Sequence, residues 1–99
     1  MLIIKRIDIF GFPILQLQGR LDLVTFPPLL SELAQMSPFG TVGLDLTDVQ
    51  DLDAAGVALL ESVSDWLQAS GGRLRILGCS AEAERGLVRE SSRGLSLVA

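Results

Sequence analysis

Five aspartates, Asp22, Asp45, Asp48, Asp51 and Asp53, come nearest to chemistry in this chain of 99 residues. Two carboxylates held together can divide acid and base work between them. Several can hold a hard divalent cation through oxygen. Neither use has its helpers here. The chain has no histidine and no tyrosine, which removes a Ser-His-Asp triad, a Cys-His pair and every His-based metal site. It has no GxxxxGK[ST] loop to cradle a phosphate. The expectation is therefore no catalytic residue, no metal site, no cofactor and no enzyme. An enzyme or small-molecule binder would have to work with Asp22, Asp45 and Asp53 alone. Turn and capping roles account for most of these acids: Asp45 ends a predicted strand, and Asp53 stands where a helix N-cap belongs.

The stretch from Leu44 to Gly56 (LDLTDVQDLDAAG) joins the acids to a fold element. It reads as a buried strand, a short acidic connection and a tight turn into a long amphipathic helix. Open α/β sheets meet ligands and partners where such turns sit, at the ends of their strands. The tip of this turn is Ala54-Ala55, with no hydroxyl, thiol or imidazole. Gly56 reads as a position where a second backbone comes close. Thr25 and Thr47 carry the neighbouring hydroxyls and read as a cap and a turn closure. The single cysteine, Cys79, follows the apolar run Leu74-Arg75-Ile76-Leu77 and reads as a packed thiol near a strand end.

The elements that position these residues follow from periodicity. Residues 2–9 alternate and predict a strand, with Gly11 and Pro13 bracketing a turn and a second strand over 14–18. Gly19 marks a bend or a close backbone approach. Thr25 is the expected N-cap of a helix that tolerates Pro27 and Pro28 in its first turn and ends at Ser37-Pro38-Phe39-Gly40. The third strand is predicted over 41–46, apolar enough to suit a strand covered on both faces. A helix follows over 54–69, with Leu59, Leu60, Val63, Trp66 and Leu67 facing the core and Glu61, Ser62, Asp65 and Gln68 opposite. Ser70-Gly71-Gly72 stops it. A fourth strand holds Leu74, Ile76 and Leu77. Ser80 caps a helix over 81–89, Gly94 breaks it, and 95–98 suit an edge strand or a tail. The order β-β-α-β-α-β-α predicts a single α/β domain, 1–99, with a mixed four- to five-stranded sheet and flanking helices.

Composition narrows the function. Hydrophobic residues make up 48% of the chain and the net charge is −4. That balance argues against nucleic acid as the main partner. Between Asp45 and Asp65 there are six acids and no base, while from Arg73 to Arg93 five arginines face three glutamates. A basic protein surface suits the first segment. No apolar run approaches the ~20 residues of a membrane helix. At the N-terminus the charge follows the apolar residues, the wrong order for a signal peptide. The expectation is a cytoplasmic protein without direct membrane insertion.

Five short motifs in order resemble a STAS domain, the family named for sulfate transporters and anti-sigma-factor antagonists. Gly19-Arg20-Leu21-Asp22, with Thr25 close behind, resembles the family's Gly-Glu-Leu-Asp. Leu44-Asp45-Leu46-Thr47 resembles its Leu-Asp-Leu-Ser strand. Leu52-Asp53-Ala54-Ala55-Gly56 resembles its Met-Asp-Ser-Ser-Gly turn. Gly71-Gly72 falls at the break before the fourth strand. The resemblance covers nearly the whole chain and implies a bacterial regulator of transcription that binds a partner protein without catalysis. In the anti-sigma-factor antagonists this turn docks on an ATP-dependent anti-sigma kinase and frees a sigma factor. The kinase phosphorylates the turn's first serine and ends the contact.

Here Ala54 stands at the phosphoacceptor position and Ala55 beside it, so this turn cannot be phosphorylated. The resemblance thus implies an antagonist without that switch, docking on an anti-sigma factor or serine-kinase-like protein. Its contact residues would be Asp22, Asp53, Ala54, Ala55 and Gly56, with Val57 and Glu61 on the first turns of the helix. The same departure suits a constitutive adaptor, such as the STAS subunit of a phospholipid-transport ABC system, which binds the ATPase subunit. A scaffold in a larger sensory assembly is a third reading. The apolar end Leu97-Val98-Ala99 admits a homodimer.

Overall fold

A computed structural model describes residues 1–36 and 40–90. Its elements are β1 (Leu2–Ile9), β2 (Phe12–Leu21), α1 (Phe26–Ala34), β3 (Thr41–Leu52), α2 (Ala54–Ala69), β4 (Arg73–Cys79) and α3 (Ala81–Glu90). The expected order holds throughout. The strands lie in sequence order across one sheet. β1 and β2 are antiparallel, and β2, β3 and β4 run parallel, each parallel step being made by a crossover helix.

The β1–β2 hairpin turns on two residues, since Ile9 faces Phe12 across it. Phe10 and Gly11 both take positive φ, 50° and 83°, the backbone hand that matches the twist of the flanking strands. Pro13, expected in the turn, lies inside β2 opposite Asp8.

Alternation sends one face of every strand into a common core. Leu15, Leu44 and Ile76 are register partners across β2, β3 and β4, and all three are fully buried. Phe26, Leu29 and Leu33 of α1, Val57, Leu60, Val63 and Leu67 of α2, and Ala83 and Leu87 of α3 join them in one cluster. The expectation of a third strand covered on both faces is corrected: among the described residues the helices pack on one face only. The apolar run in β3 fills that face with Val42, Leu44 and Leu46, while Gly43 presents no side chain to the other.

β3 also runs six residues further than predicted. Thr47 to Asp51 were expected as a connection, yet they continue the strand beside β2. The pairing shifts register between Gln16 and Gln18 and again between Gly19 and Arg20. Buried positions then fall at Leu46, Val49 and Leu52, a spacing of three that hides a strand from any period-two reading. Gly19, expected as a bend or close approach, sits at the second shift with its backbone against Met1.

α2 ends as predicted. Gly71 takes φ 89°, and the Gly72 N–H donates to the Leu67 carbonyl at 2.8 Å, the arrangement of a glycine stop. Ser80 caps α3: its hydroxyl accepts from the Ala83 N–H at 3.0 Å and donates to the Val49 carbonyl at 2.5 Å. No helix among the described residues is long and apolar enough to cross a membrane. The Ser37-Pro38-Phe39 part of the expected turn, Gly94, and the expected tail strand over 95–98 lie outside the described residues, as does the Leu97–Ala99 end.

Candidate docking site at the carboxyl ends of the strands

Leu21 and Leu52 are parallel register partners and the last residues of β2 and β3. Both are buried. The next residue on each strand is an aspartate, so Asp22 and Asp53 leave the sheet side by side. Register alone brings together two acids 31 positions apart.

Each aspartate organises its own turn. Asp22 Oδ1 accepts the backbone N–H groups of Val24 and Thr25, both at 3.0 Å. The Thr25 hydroxyl donates to the Arg20 carbonyl at 2.8 Å, and the Asp22 N–H donates to the Thr25 hydroxyl oxygen at 3.0 Å. Thr25 therefore occupies the N-cap position of α1 as expected, but its side chain makes no cap hydrogen bond. The hydroxyl closes the loop instead, as the Asp22 carboxylate orders the N–H groups. The Thr25 N–H holds the Asp22 carboxyl below its usual range, helped by the Thr25 hydroxyl, the Val24 N–H and Arg20 against a desolvation that pushes it up. On the second turn Asp53 caps α2 as predicted, Oδ1 accepting the Gly56 N–H at 2.8 Å.

Gly56 sets how closely the two turns pack. A Cβ there would strike the Leu21 carbonyl oxygen and stand 2.9 Å from Leu52 Cδ1. The backbone approach expected at this glycine is thus that of α2 onto the end of β2. Gly86 does the same for α3, where a Cβ would strike the Leu52 carbonyl oxygen.

Ala54 and Ala55 are exposed on the first turn of α2. The other three α2 residues expected at the contact, Gly56, Val57 and Glu61, are not. Val57 is fully buried and Glu61 is also buried, because they lie four apart on the helix face that enters the core. Trp66, expected in the core, is 45% exposed. It lies on the other face, which runs from Ala54 through Ala58 and Ser62. The 3.6-residue period admits Trp66 at the border of the apolar stripe, and packing leaves it outside.

Sequence reading also missed Leu23 and Val24. They are 67% and 84% exposed in the loop that Asp22 holds. An apolar pair between a strand-ending aspartate and a helix cap was the available signal. Arg20 and Asp51 bridge β2 and β3 beneath them at 3.3 Å.

The three carboxylates of the enzyme reading do not meet. Asp45 lies within β3 on the helix-free face, where its Oδ1 accepts the Thr47 N–H at 3.0 Å and the Thr47 hydroxyl at 2.5 Å. Among the described residues no group of three His, Cys, Asp or Glu is placed to hold a metal ion. Cys79 is half-buried. Burial, then Glu84 and Asp45, push its thiol up, which keeps it protonated and weakly nucleophilic.

The family model described as "Mlab, STAS domain" matches residues 11–93. The chain belongs to the STAS family. Solved structures share its fold, two of them as follows. An anti-sigma factor antagonist from Mycobacterium paratuberculosis superposes with a TM-score of 0.79 at 19% identity, over 99% of this chain and 86% of that one. A serine-to-glutamate variant of RsbS from Moorella thermoacetica superposes with a TM-score of 0.67 at 15% identity, over 95% and 84%. At these identities the likeness speaks for the fold. No curated protein matches the chain. The mixed four-stranded sheet with three helices in this order is the STAS fold.

Proposed function

We propose that this STAS domain is a cytoplasmic protein-binding module of the anti-sigma-factor-antagonist type. It docks on an anti-sigma factor or serine-kinase-like protein through the paired turns at the ends of β2 and β3. One observation carries the reading: Asp22 and Asp53 emerge together beside exposed, small Ala54 and Ala55. The carboxylates supply charge complementarity to a basic surface. The alanines let that surface approach the helix start. Leu23 and Val24 supply the apolar contact, and Trp66 extends it along the exposed face of α2. Gly56 positions the two turns, and Val57 and Glu61 serve from within. With Ala54 at the phosphoacceptor position, the contact is not switched by phosphorylation there.

The same feature favours a second reading. An exposed turn with nothing to modify suits a constitutive adaptor, such as the STAS subunit bound to the ATPase of a phospholipid-transport ABC system.

The test is a pull-down from the native cell extract with the wild type and Ala55→Arg. Arginine there adds bulk and a like charge against a basic partner, and the expected loss is roughly tenfold or more in affinity, about 1.4 kcal/mol. Ala55 is exposed, so the variant folds, and its thermal transition checks this. Loss of a histidine-kinase-like ATPase supports the antagonist reading; loss of an ABC ATPase selects the adaptor. Equal recovery by both baits removes the docking assignment.

A further inference from the structure

The helix-free face of the sheet has a chemistry opposite to that of the docking turns. Ile7, Ile14, Gly43 and Arg75 are successive register partners across all four strands. Ile9 pairs with Phe12, and Thr41 with Arg73. Phe10, at the hairpin tip, is 98% exposed, and Ile9 and Phe12 are exposed beside it. With Ile14 and Leu77 these three line a depression of about 430 Å³ that also takes in Arg75. Gly43 leaves room for it, since a Cβ there would stand 2.6 Å from Leu77 Cδ1. Lys5, Arg73 and Arg75 share the face with Asp45, and among the described residues none of these three cations makes an ion pair.

An exposed apolar patch of this kind marks an interaction surface. Two copies of the face turned on each other would oppose like charges, which disfavours a symmetric dimer. The occupant that fits is apolar and acidic. Such a surface stands at the other end of the same molecule. β2, β3 and β4 begin at Phe12, Thr41 and Arg73, beside the depression, and the first two of them finish at the Asp22 and Asp53 turns. There the exposed Leu23 and Val24 stand among carboxylates.

We propose that the chain binds a second copy of itself head to tail. The Asp22–Val24 loop of one copy seats in the depression of the next, with its carboxylates toward Arg73 and Arg75. The two surfaces are different patches, so the contact is heterologous and leaves one loop and one depression free at the ends of each stack. Exposed ion pairs contribute little singly and are screened by salt. The contact is therefore weak, and strongest at low ionic strength. Both halves of the interface are read from the chain's own surfaces, independently of the docking partner.

Sedimentation velocity from micromolar to millimolar protein tests this. The wild type at low salt is expected to grow past the dimer as concentration rises and to shrink when salt is added. Arg75→Glu spoils the depression; the double variant Leu23→Ser, Val24→Ser spoils the loop. Each alone should stay monomeric. Mixed in equal amounts, they should form a one-to-one dimer and nothing larger, because one intact loop and one intact depression remain. All these positions are exposed, thermal transitions check the folds, and Arg73→Glu replaces Arg75→Glu should that variant melt early. A monomeric wild type overturns the proposal. So does a wild type that associates while the mixture gives no dimer, which places the contact on another surface. A monomer that binds anionic phospholipid vesicles through Arg75 overturns it too and assigns the face to a membrane.

Discussion

Asp22 shows how one carboxylate can serve both a fold and a site. Its oxygen organises the loop that carries Leu23 and Val24, and it stands beside Asp53 at the docking surface. The bound N–H groups favour the charged form, so its carboxyl titrates below the ordinary value in the folded chain. The stability it contributes is then present above the unfolded value and is lost as pH falls through the lower, folded one. Asp22→Asn should flatten the acid limb of stability against pH relative to the wild type, while leaving stability at pH 7 and above lower by a constant amount. Urea midpoints measured across the acid range check this; parallel limbs for the two proteins would show that the carboxylate is not held this way.

At the scale of elements, two glycines set the spacing of helices on the sheet. Gly56 seats α2 on the last carbonyl of β2, and Gly86 seats α3 on the last carbonyl of β3. Backbone cannot retreat as a flexible side chain can. Either glycine replaced by alanine should cost about 1–3 kcal/mol, the usual range for overpacking a well-filled site. The helix propensity of alanine offsets up to about 1 kcal/mol of that. Chemical denaturation gives both values. A neutral or stabilising Gly56→Ala would mean that α2 slides without loss, and that the two turns are not held in one spacing.

The whole molecule is polarised along its parallel strands. Asp22, Asp48, Asp51 and Asp53 gather toward the carboxyl ends with Arg20, whereas Arg73 and Arg75 stand at the start of β4. Such a distribution steers a basic partner to one end and an acidic one to the other. It also sets the two proposed contacts in competition, because the Asp22–Val24 loop takes part in both. Arg75→Glu, monomeric and distant from the docking turns, should bind the cellular partner as the wild type does at low concentration. At high concentration it should bind more tightly, since none of its loops is occupied by a neighbour. A titration at two protein concentrations checks this, and equal affinities at both would separate the two surfaces.

The order of the elements, the caps at Asp53 and Ser80 and the glycine stop at Gly71 were all legible in the sequence. Each rests on local backbone chemistry, a side-chain oxygen reaching an N–H three residues on or a glycine taking positive φ. The close approach at Gly56 was legible for a similar reason: a missing Cβ in a helix start points to a neighbour. What lies across strands was not. The far half of β3 was hidden because two register shifts replace alternation with a spacing of three. Val57, Glu61 and Trp66 changed sides because the 3.6-residue period defines the width of a helix stripe but not the line where packing cuts it. The pairing of Asp22 with Asp53 and the exposed apolar residues around Phe10 depend on which strands lie side by side and on which face the helices choose. Those are properties of long-range contact, and only the tertiary structure decides them.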